Sequence, residues 1–133
     1  MKFHPEIPVY GDTSFRGDCP TEAAEQATLF NQLPKELREI ALHIKNEGKR
    51  TNNQMARQRA EGGFIKGAAD IIIPGSPTFV AELKRKDHTR SKWQAGQIEY
   101  LLACKRQGAF VCVCLGWEAA MEAVREWRGL AQT

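Results

Sequence analysis

Three polar side chains stand at the ends of two short apolar segments, where they could act together on one substrate. Asp70 begins the first segment, and Glu82 and Lys84 end the second. The Pro/Gly-rich sequence 74–78 between the segments predicts a β-hairpin. Ser76 lies midway between Asp70 and Glu82, so a symmetric hairpin places their Cβ atoms opposite each other, about 4.5–5.5 Å apart. Lys84 follows Glu82 by two residues and therefore projects from the same face.

Two opposed carboxylates repel each other and destabilise a sheet unless a positive charge lies between them. Mg²⁺ or Mn²⁺ fits this role, because hard divalent cations prefer carboxylate and water oxygens. Such an ion polarises a phosphate and lowers the pKa of a bound water. Lys84 could then orient or deprotonate the water, or stabilise charge on the phosphate. The alternative is a structural ion pair in which Lys84 neutralises one carboxylate.

The positive charge is concentrated in two segments. The chain has 133 residues and a net charge of +3, but the segment 45–66 has six Lys/Arg against two acidic residues, and 82–92 has five against two. This asymmetry suits a polyanion such as DNA, although a charged segment can also be an ordinary solvated surface. The candidate phosphate contacts, to which His88 could be added, are Lys49, Arg50, Arg57, Arg59, Lys66, Arg85, Lys86, Arg90 and Lys92.

The elements that must position these residues follow from periodicity and from Pro/Gly punctuation. The order is α-β-(α)-β-β-α-β-α, an α/β or α+β domain with one mixed sheet flanked by helices. On the first helix, Ala23, Gln26, Ala27, Phe30 and Leu33 are the expected inner face, with Asp18 or Thr21 as N-cap. The predicted helices are 20–33, 35–39, 53–61, 91–107 and 117–128, and the predicted strands are 40–44, 69–73, 79–83 and 109–115.

The length and the composition are those of one ordinary globular domain. Residues 1–19 show no periodicity and are predicted to be an extended N-terminal arm, with the domain covering 20–133. No apolar segment is long enough to cross a membrane and no signal peptide is recognisable, so the cytoplasm is the expected compartment. The four cysteines lack zinc-site spacing, and Cys112 and Cys114 are expected on one face of a buried strand.

The motifs around the predicted hairpin resemble the PD-(D/E)XK nuclease superfamily. Gly67-Ala68-Ala69-Asp70, Ala81-Glu82-Leu83-Lys84 and a glutamine in the next helix, Gln97, occur in the order typical of that superfamily. They resemble most its VRR-NUC group, and in particular small stand-alone members from bacteriophages. The resemblance extends from about Thr21 to Trp127. One departure is Ala69, which stands where the family has a proline before the aspartate.

The resemblance implies a restriction-endonuclease-like core of order α-β-β-β-α-β and a role for each matching residue. Asp70, Glu82 and the backbone carbonyl of Leu83 would bind the metal, and Glu22 would help directly or through water. Lys84 would be catalytic, and Gln97 would support the lysine or the phosphate. Glu25 remains an alternative to Glu22, and Gln94 an alternative to Gln97.

The function expected from these residues and this resemblance is metal-dependent endonuclease cleavage of DNA. A chain of this length has little room for a separate base-reading module, which favours recognition of branches, junctions or flaps. The superfamily often works as homodimers, so a second copy is an expected partner. The alternatives are a DNA-binding or assembly protein that does not cleave, and a sequence-specific restriction-type nuclease.

Overall fold

The computed structural model describes residues 1–44, 62 and 65–131. The predicted helix 53–61 lies outside the described residues. So do four of the candidate phosphate contacts, which are Lys49, Arg50, Arg57 and Arg59. No helix in the described ranges is long and apolar enough to cross a membrane. The strands are β1 (Val9–Tyr10), β2 (Leu42–His43), β3 (Ile71–Ile73), β4 (Phe79–Lys84) and β5 (Phe110–Leu115). The helices are α1 (Glu22–Gln32), α2 (Lys35–Arg38), α3 (Gln97–Arg106) and α4 (Trp117–Ala131).

The described strands form one mixed sheet in the order β1-β5-β4-β3-β2. The pairs β2–β3 and β3–β4 are antiparallel, whereas β4–β5 and β5–β1 are parallel. A parallel pair needs a long crossover, and α3 provides it between β4 and β5. The predicted class, α+β with a mixed sheet flanked by helices, is confirmed.

The β3–β4 hairpin has the register predicted from its turn. Ile71 pairs with Ala81, and Ile73 pairs with Phe79. One further step along the same register brings Asp70, which directly precedes β3, opposite Glu82. A slip of one residue would turn the carboxyl group of the shifted strand toward the opposite face, so that Asp70 and Glu82 would no longer share a face.

The strand β4 is covered on both faces, and this decides how deeply its polar residues are buried. Phe79, Ala81 and Leu83 pack with residues of α1 and α4 in one cluster, which also contains Cys112 and Cys114 on one face of β5 as predicted. Val80 packs on the opposite face, with residues of α3 and of the N-terminal segment. Glu82 and Lys84 share the face of Val80, and their exposures are only 0% and 1%.

The N-terminal residues contribute a strand that the sequence did not predict. Val9 and Tyr10 pair in parallel with Val113 and Cys114, and Ile7 is buried beside them. A strand of two residues is too short to show a period, and its partner lies about a hundred residues away along the chain, so no local pattern indicates it.

Two other predicted elements differ in extent. The helix predicted to begin at Ser91 begins at Gln97, because Gly96 adopts a left-handed conformation with φ of 89°. The strand predicted over 40–44 is limited to Leu42–His43.

The helix α1 has Thr21 as its N-cap, whose hydroxyl accepts from the Ala24 N–H. The predicted inner face was wrong at Ala23 and Ala27, which are exposed. The buried positions are Glu25 and Leu29, followed by Leu33 at the C-cap.

Candidate active site

The two opposed carboxyl groups are in contact, and each has a separate partner. The Leu83 N–H donates to Asp70 Oδ2 at 3.0 Å. Gln97 Nε2 donates to Glu82 Oε1 at 2.8 Å. The other oxygen of Glu82, Oε2, is buried and has no hydrogen-bond donor within the described part of the chain. An orphaned carboxylate oxygen at this depth is costly unless a proton or a cation binds it.

Burial raises the pKa of Glu82 to about 11, and hydrogen bonding and repulsion from Asp70 add to the shift. The nearby Lys84 ammonium lowers the pKa of Glu82 only partly. In the absence of a cation, Glu82 therefore holds a proton at neutral pH. A divalent cation between the carboxyl groups would take the place of this proton.

Lys84 is held by two acceptors at the end of β4. Its Nζ donates to the Lys92 carbonyl at 2.8 Å and to Gln97 Oε1 at 3.0 Å. The same Gln97 oxygen accepts from the Gln94 N–H at 2.8 Å. The amide of Gln97 thus connects the lysine to the carboxyl group of Glu82, whereas Gln94 contributes its backbone.

Glu22, on the first turn of α1, reaches the same group of residues. Its Oε1 lies 3.9 Å from Lys84 Nζ, and its Oε2 accepts from Ser91 Oγ at 3.3 Å. Burial raises the pKa of Glu22, while Lys84 lowers it and Asp70 raises it. The alternative, Glu25, has a different position: its Oε2 accepts from the Trp117 N–H and caps α4.

The oxygen atoms at this site suit a hard divalent cation. Asp70 and Glu82 supply carboxyl groups, and backbone alternation adds a carbonyl. The Lys84 carbonyl accepts from Gly116 on the β5 side, so the Leu83 carbonyl faces the opposite side, where its own N–H contacts Asp70. No three His, Cys, Asp or Glu residues of the described ranges already converge on one point, and a cation would have to draw Glu22 inward or reach it through water.

The candidate phosphate contacts fall into two groups. The guanidinium of Arg85 donates to the carbonyls of Cys19 and Pro20 at 2.6 and 3.0 Å. Lys86 pairs with Glu118, and Arg90 pairs with Asp18 and Asp87. Lys66 and Lys92 are exposed, and neither forms an ion pair within the residues that the structure describes.

Three residues near the site have contacts that no sequence pattern indicates. The ring of Trp93 lies 5.6 Å from Lys84 Nζ, and its Nε1 donates to the Lys2 carbonyl. Ser91 contacts Glu22. His88, considered as an additional phosphate contact, is buried, and its Nε2 lies 3.1 Å from the Thr13 carbonyl. These contacts join the segment after β4 to the N-terminal residues.

A solved structure described as a "VRR_NUC domain protein" is similar to this chain. The TM-score is 0.67 at 19% sequence identity, over 85% of this chain and 92% of that chain. No known family profile matches the sequence. No curated protein sequence matches it either. At this identity the likeness shows the fold: the chain has the restriction-endonuclease-like VRR-NUC fold that its motifs suggested.

Proposed function

We propose that this chain is a metal-dependent deoxyribonuclease that hydrolyses phosphodiester bonds. The observation that carries the proposal is that Asp70 and Glu82 lie opposite each other across the β3–β4 hairpin, with Glu82 fully buried beside Lys84, on a VRR-NUC fold. Two adjacent acids, one of them fully buried, destabilise a protein unless a proton or a cation compensates for their charge. The pair therefore suggests a binding site for a cation.

Asp70, Glu82 and the Leu83 carbonyl would hold Mg²⁺ or Mn²⁺, with Glu22 binding directly or through water. The ion supplies polarisation of the scissile phosphate and a water of lowered pKa. Glu82 would give up its proton in order to hold the ion. Gln97, which donates to one oxygen of Glu82, keeps that carboxylate oriented.

Lys84 acts on the substrate from the same face. Its ammonium has three N–H groups, of which two are engaged by the Lys92 carbonyl and by Gln97. The third has no hydrogen-bond acceptor among the described residues, although Glu22 Oε1 lies 3.9 Å from Nζ, and it would orient the attacking water and stabilise the charge that develops on the phosphate. The reaction is hydrolysis without a covalent intermediate.

DNA would bind along the exposed basic residues near the site. Lys66 and Lys92 belong to the segments that hold Asp70 and Lys84, and contacts to phosphate give affinity without sequence information. We therefore infer selectivity for DNA structure, such as branches, junctions or flaps. A homodimer would present two such sites to two DNA strands. Light scattering tests this proposal by measuring the molar mass of the protein in solution.

The test is cleavage of a labelled panel comprising linear duplex, single strand, flap, splayed arm and four-way junction. Each substrate is incubated with Mg²⁺, Mn²⁺ or EDTA. We expect metal-dependent cutting, greatest on a branched substrate, that disappears in Lys84→Ala. Lys35→Ala is the matched control, because the Lys35 side chain is 83% exposed on α2.

Equal activity in wild type and Lys84→Ala would contradict the proposed mechanism. Binding without cutting under every metal condition would identify a non-catalytic DNA-binding or assembly protein. Discrete, reproducible fragments from unrelated plasmids would identify a sequence-specific nuclease. Asp70→Asn adds a second check, since it should abolish cleavage while sparing DNA binding.

A further inference from the structure

The loop that carries Asp70 touches the start of α3 through two glycines. A Cβ atom at Gly67 would lie 2.2 Å from the Gly96 carbonyl carbon and 2.5 Å from the Gln97 nitrogen. A Cβ at Gly96 would lie 2.6 Å from the Lys66 carbonyl oxygen. The two backbones are therefore in direct contact, and no side chain fits between them.

This contact joins two parts of the site that come from different elements. Gly67 precedes Asp70 by three residues, and Gly96 directly precedes Gln97. Gln97 in turn holds Glu82 and Lys84. We propose that the Gly67–Gly96 contact sets the distance between Asp70 and Gln97, which makes the two glycines positioning residues of the site. The inference rests on the proposed function for its effect on catalysis.

The steric effect of the close contact can be tested separately from the strain that a positive φ causes in any residue other than glycine. Gly67 and Gly96 have φ of 82° and 89°, values that other residues rarely adopt. Gly108 has φ of 92° as well, but nothing lies within 4 Å of a Cβ built on it. An alanine at Gly108 therefore introduces the same backbone strain without the steric overlap, which makes Gly108→Ala the matched control.

The first test compares the kinetics of Gly67→Ala with those of Gly108→Ala. Non-bonded carbons approach to about 3.5 Å, so an alanine at Gly67 must move the loop by about 1 Å. A displacement of about 1 Å at a catalytic site lowers the rate roughly 100-fold. We expect that loss in kcat for Gly67→Ala with little change in KM, and wild-type kcat for Gly108→Ala.

A second readout does not depend on nuclease activity. The side-chain amide of Gln97 is buried and donates to Glu82, so its ¹⁵N and ¹H resonances report the geometry of the site. Their absence from the spectrum of Gln97→Leu assigns them. We expect these resonances to shift in Gly67→Ala and to stay unchanged in Gly108→Ala.

A third readout is the double variant. Gly67→Ala and Gly96→Ala break the same contact, so combining them should lower kcat little beyond the stronger single change. Gly96→Ala has the smaller overlap and replaces Gly67→Ala as the test variant if the latter fails to fold.

The outcomes distinguish the inference from the proposed function. Wild-type kcat and unchanged Gln97 resonances in Gly67→Ala would overturn the inference and leave the nuclease intact. Equal losses in Gly67→Ala and Gly108→Ala would attribute the effect to backbone strain and also overturn it. If the wild type cleaves nothing, the function fails, and a shift of Gln97 restricted to Gly67→Ala still supports the positioning role.

Discussion

Among single residues, Glu82 shows most clearly the conflict between stability and function. Its carboxyl group is fully buried beside Asp70, and one of its oxygens lacks a donor within the described residues. Burial and the Asp70 contact raise the pKa of Glu82 to about 11, far above the usual value of 4.5. The folded protein thus retains a proton that the unfolded chain releases.

We predict that Glu82→Gln makes the metal-free protein more stable at alkaline pH. The folded state holds the Glu82 proton up to a pH of about 11, whereas the unfolded chain releases it near pH 4.5. The contribution of this group to folding stability is therefore fully present below pH 4.5 and is lost as the pH rises through about 11. Glutamine carries no such charge: its oxygen can accept from Gln97 and its NH₂ can donate to Asp70. Thermal melts in EDTA should show that the Tm advantage of the variant grows between pH 6 and 9.

We further expect Mn²⁺ to raise the Tm of the wild type but not that of Glu82→Gln, because binding to the folded state alone raises stability. Glu99→Gln, a change on the exposed surface of α3, is the control. A variant less stable than wild type at pH 9 in EDTA would contradict this account.

Among the secondary-structure elements, the N-terminal strand β1 differs most from what the sequence predicted. Residues 1–19, predicted to be an extended arm, include β1 at the edge of the sheet. The Lys105 ammonium donates to the Glu6 carbonyl, and the Asp87 carboxylate accepts from the Gly17 N–H. The segment is therefore attached to α3 and to the loop that follows Lys84.

We predict that Ile7→Ala destabilises the whole protein. Ile7 is 3% exposed and packs in the cluster on the Glu82 face of the sheet, so its truncation should cost about 2–5 kcal/mol in the free energy of unfolding. Ile40→Ala is the matched control: Ile40 is 44% exposed, and its truncation should change stability by no more than about 0.5 kcal/mol. Urea denaturation measures both, and equal effects would show that the N-terminal segment contributes no packing.

In the molecule as a whole, the basic residues differ in what their side chains contact, although the sequence does not distinguish them. Arg85 joins β4 to the N-terminal segment, whereas Lys92 directs its ammonium to solvent and offers its carbonyl to Lys84. Formal charge alone does not reveal this difference. It depends on which carbonyls the folded chain brings near each side chain.

We predict that substitutions of Lys92 and Arg85 affect different properties, DNA binding in the first case and thermal stability in the second. Lys92→Ala should weaken DNA binding and reduce the slope of log affinity against log salt by about 1, with stability unchanged. Arg85→Ala should lower Tm, because the Cys19 and Pro20 carbonyls lose their donors. Fluorescence anisotropy at several salt concentrations, beside thermal melts, measures both. A lower Tm in Lys92→Ala with unaltered DNA binding would contradict the assignment.

The sequence by itself determined the hairpin and the residues facing each other across it. The alternation of strand side chains and the position of the Pro/Gly turn are local properties, so Asp70, Glu82 and Lys84 could be placed on one face before any tertiary contact was known. The mixed sheet followed from the order of elements. The functional roles of these residues remain predictions.

Tertiary structure alone decided which other side chains reach the hairpin. Glu22 and Glu25 are the same residue type on the same helix, but only the packing of α1 sends one to Lys84 and the other to the start of α4. Likewise, β1 exists because β5 lies beside it, and Gln97 bridges Lys84 and Glu82 because α3 crosses β4 at that point. These contacts join residues far apart in the chain, and local periodicity carries no information about them.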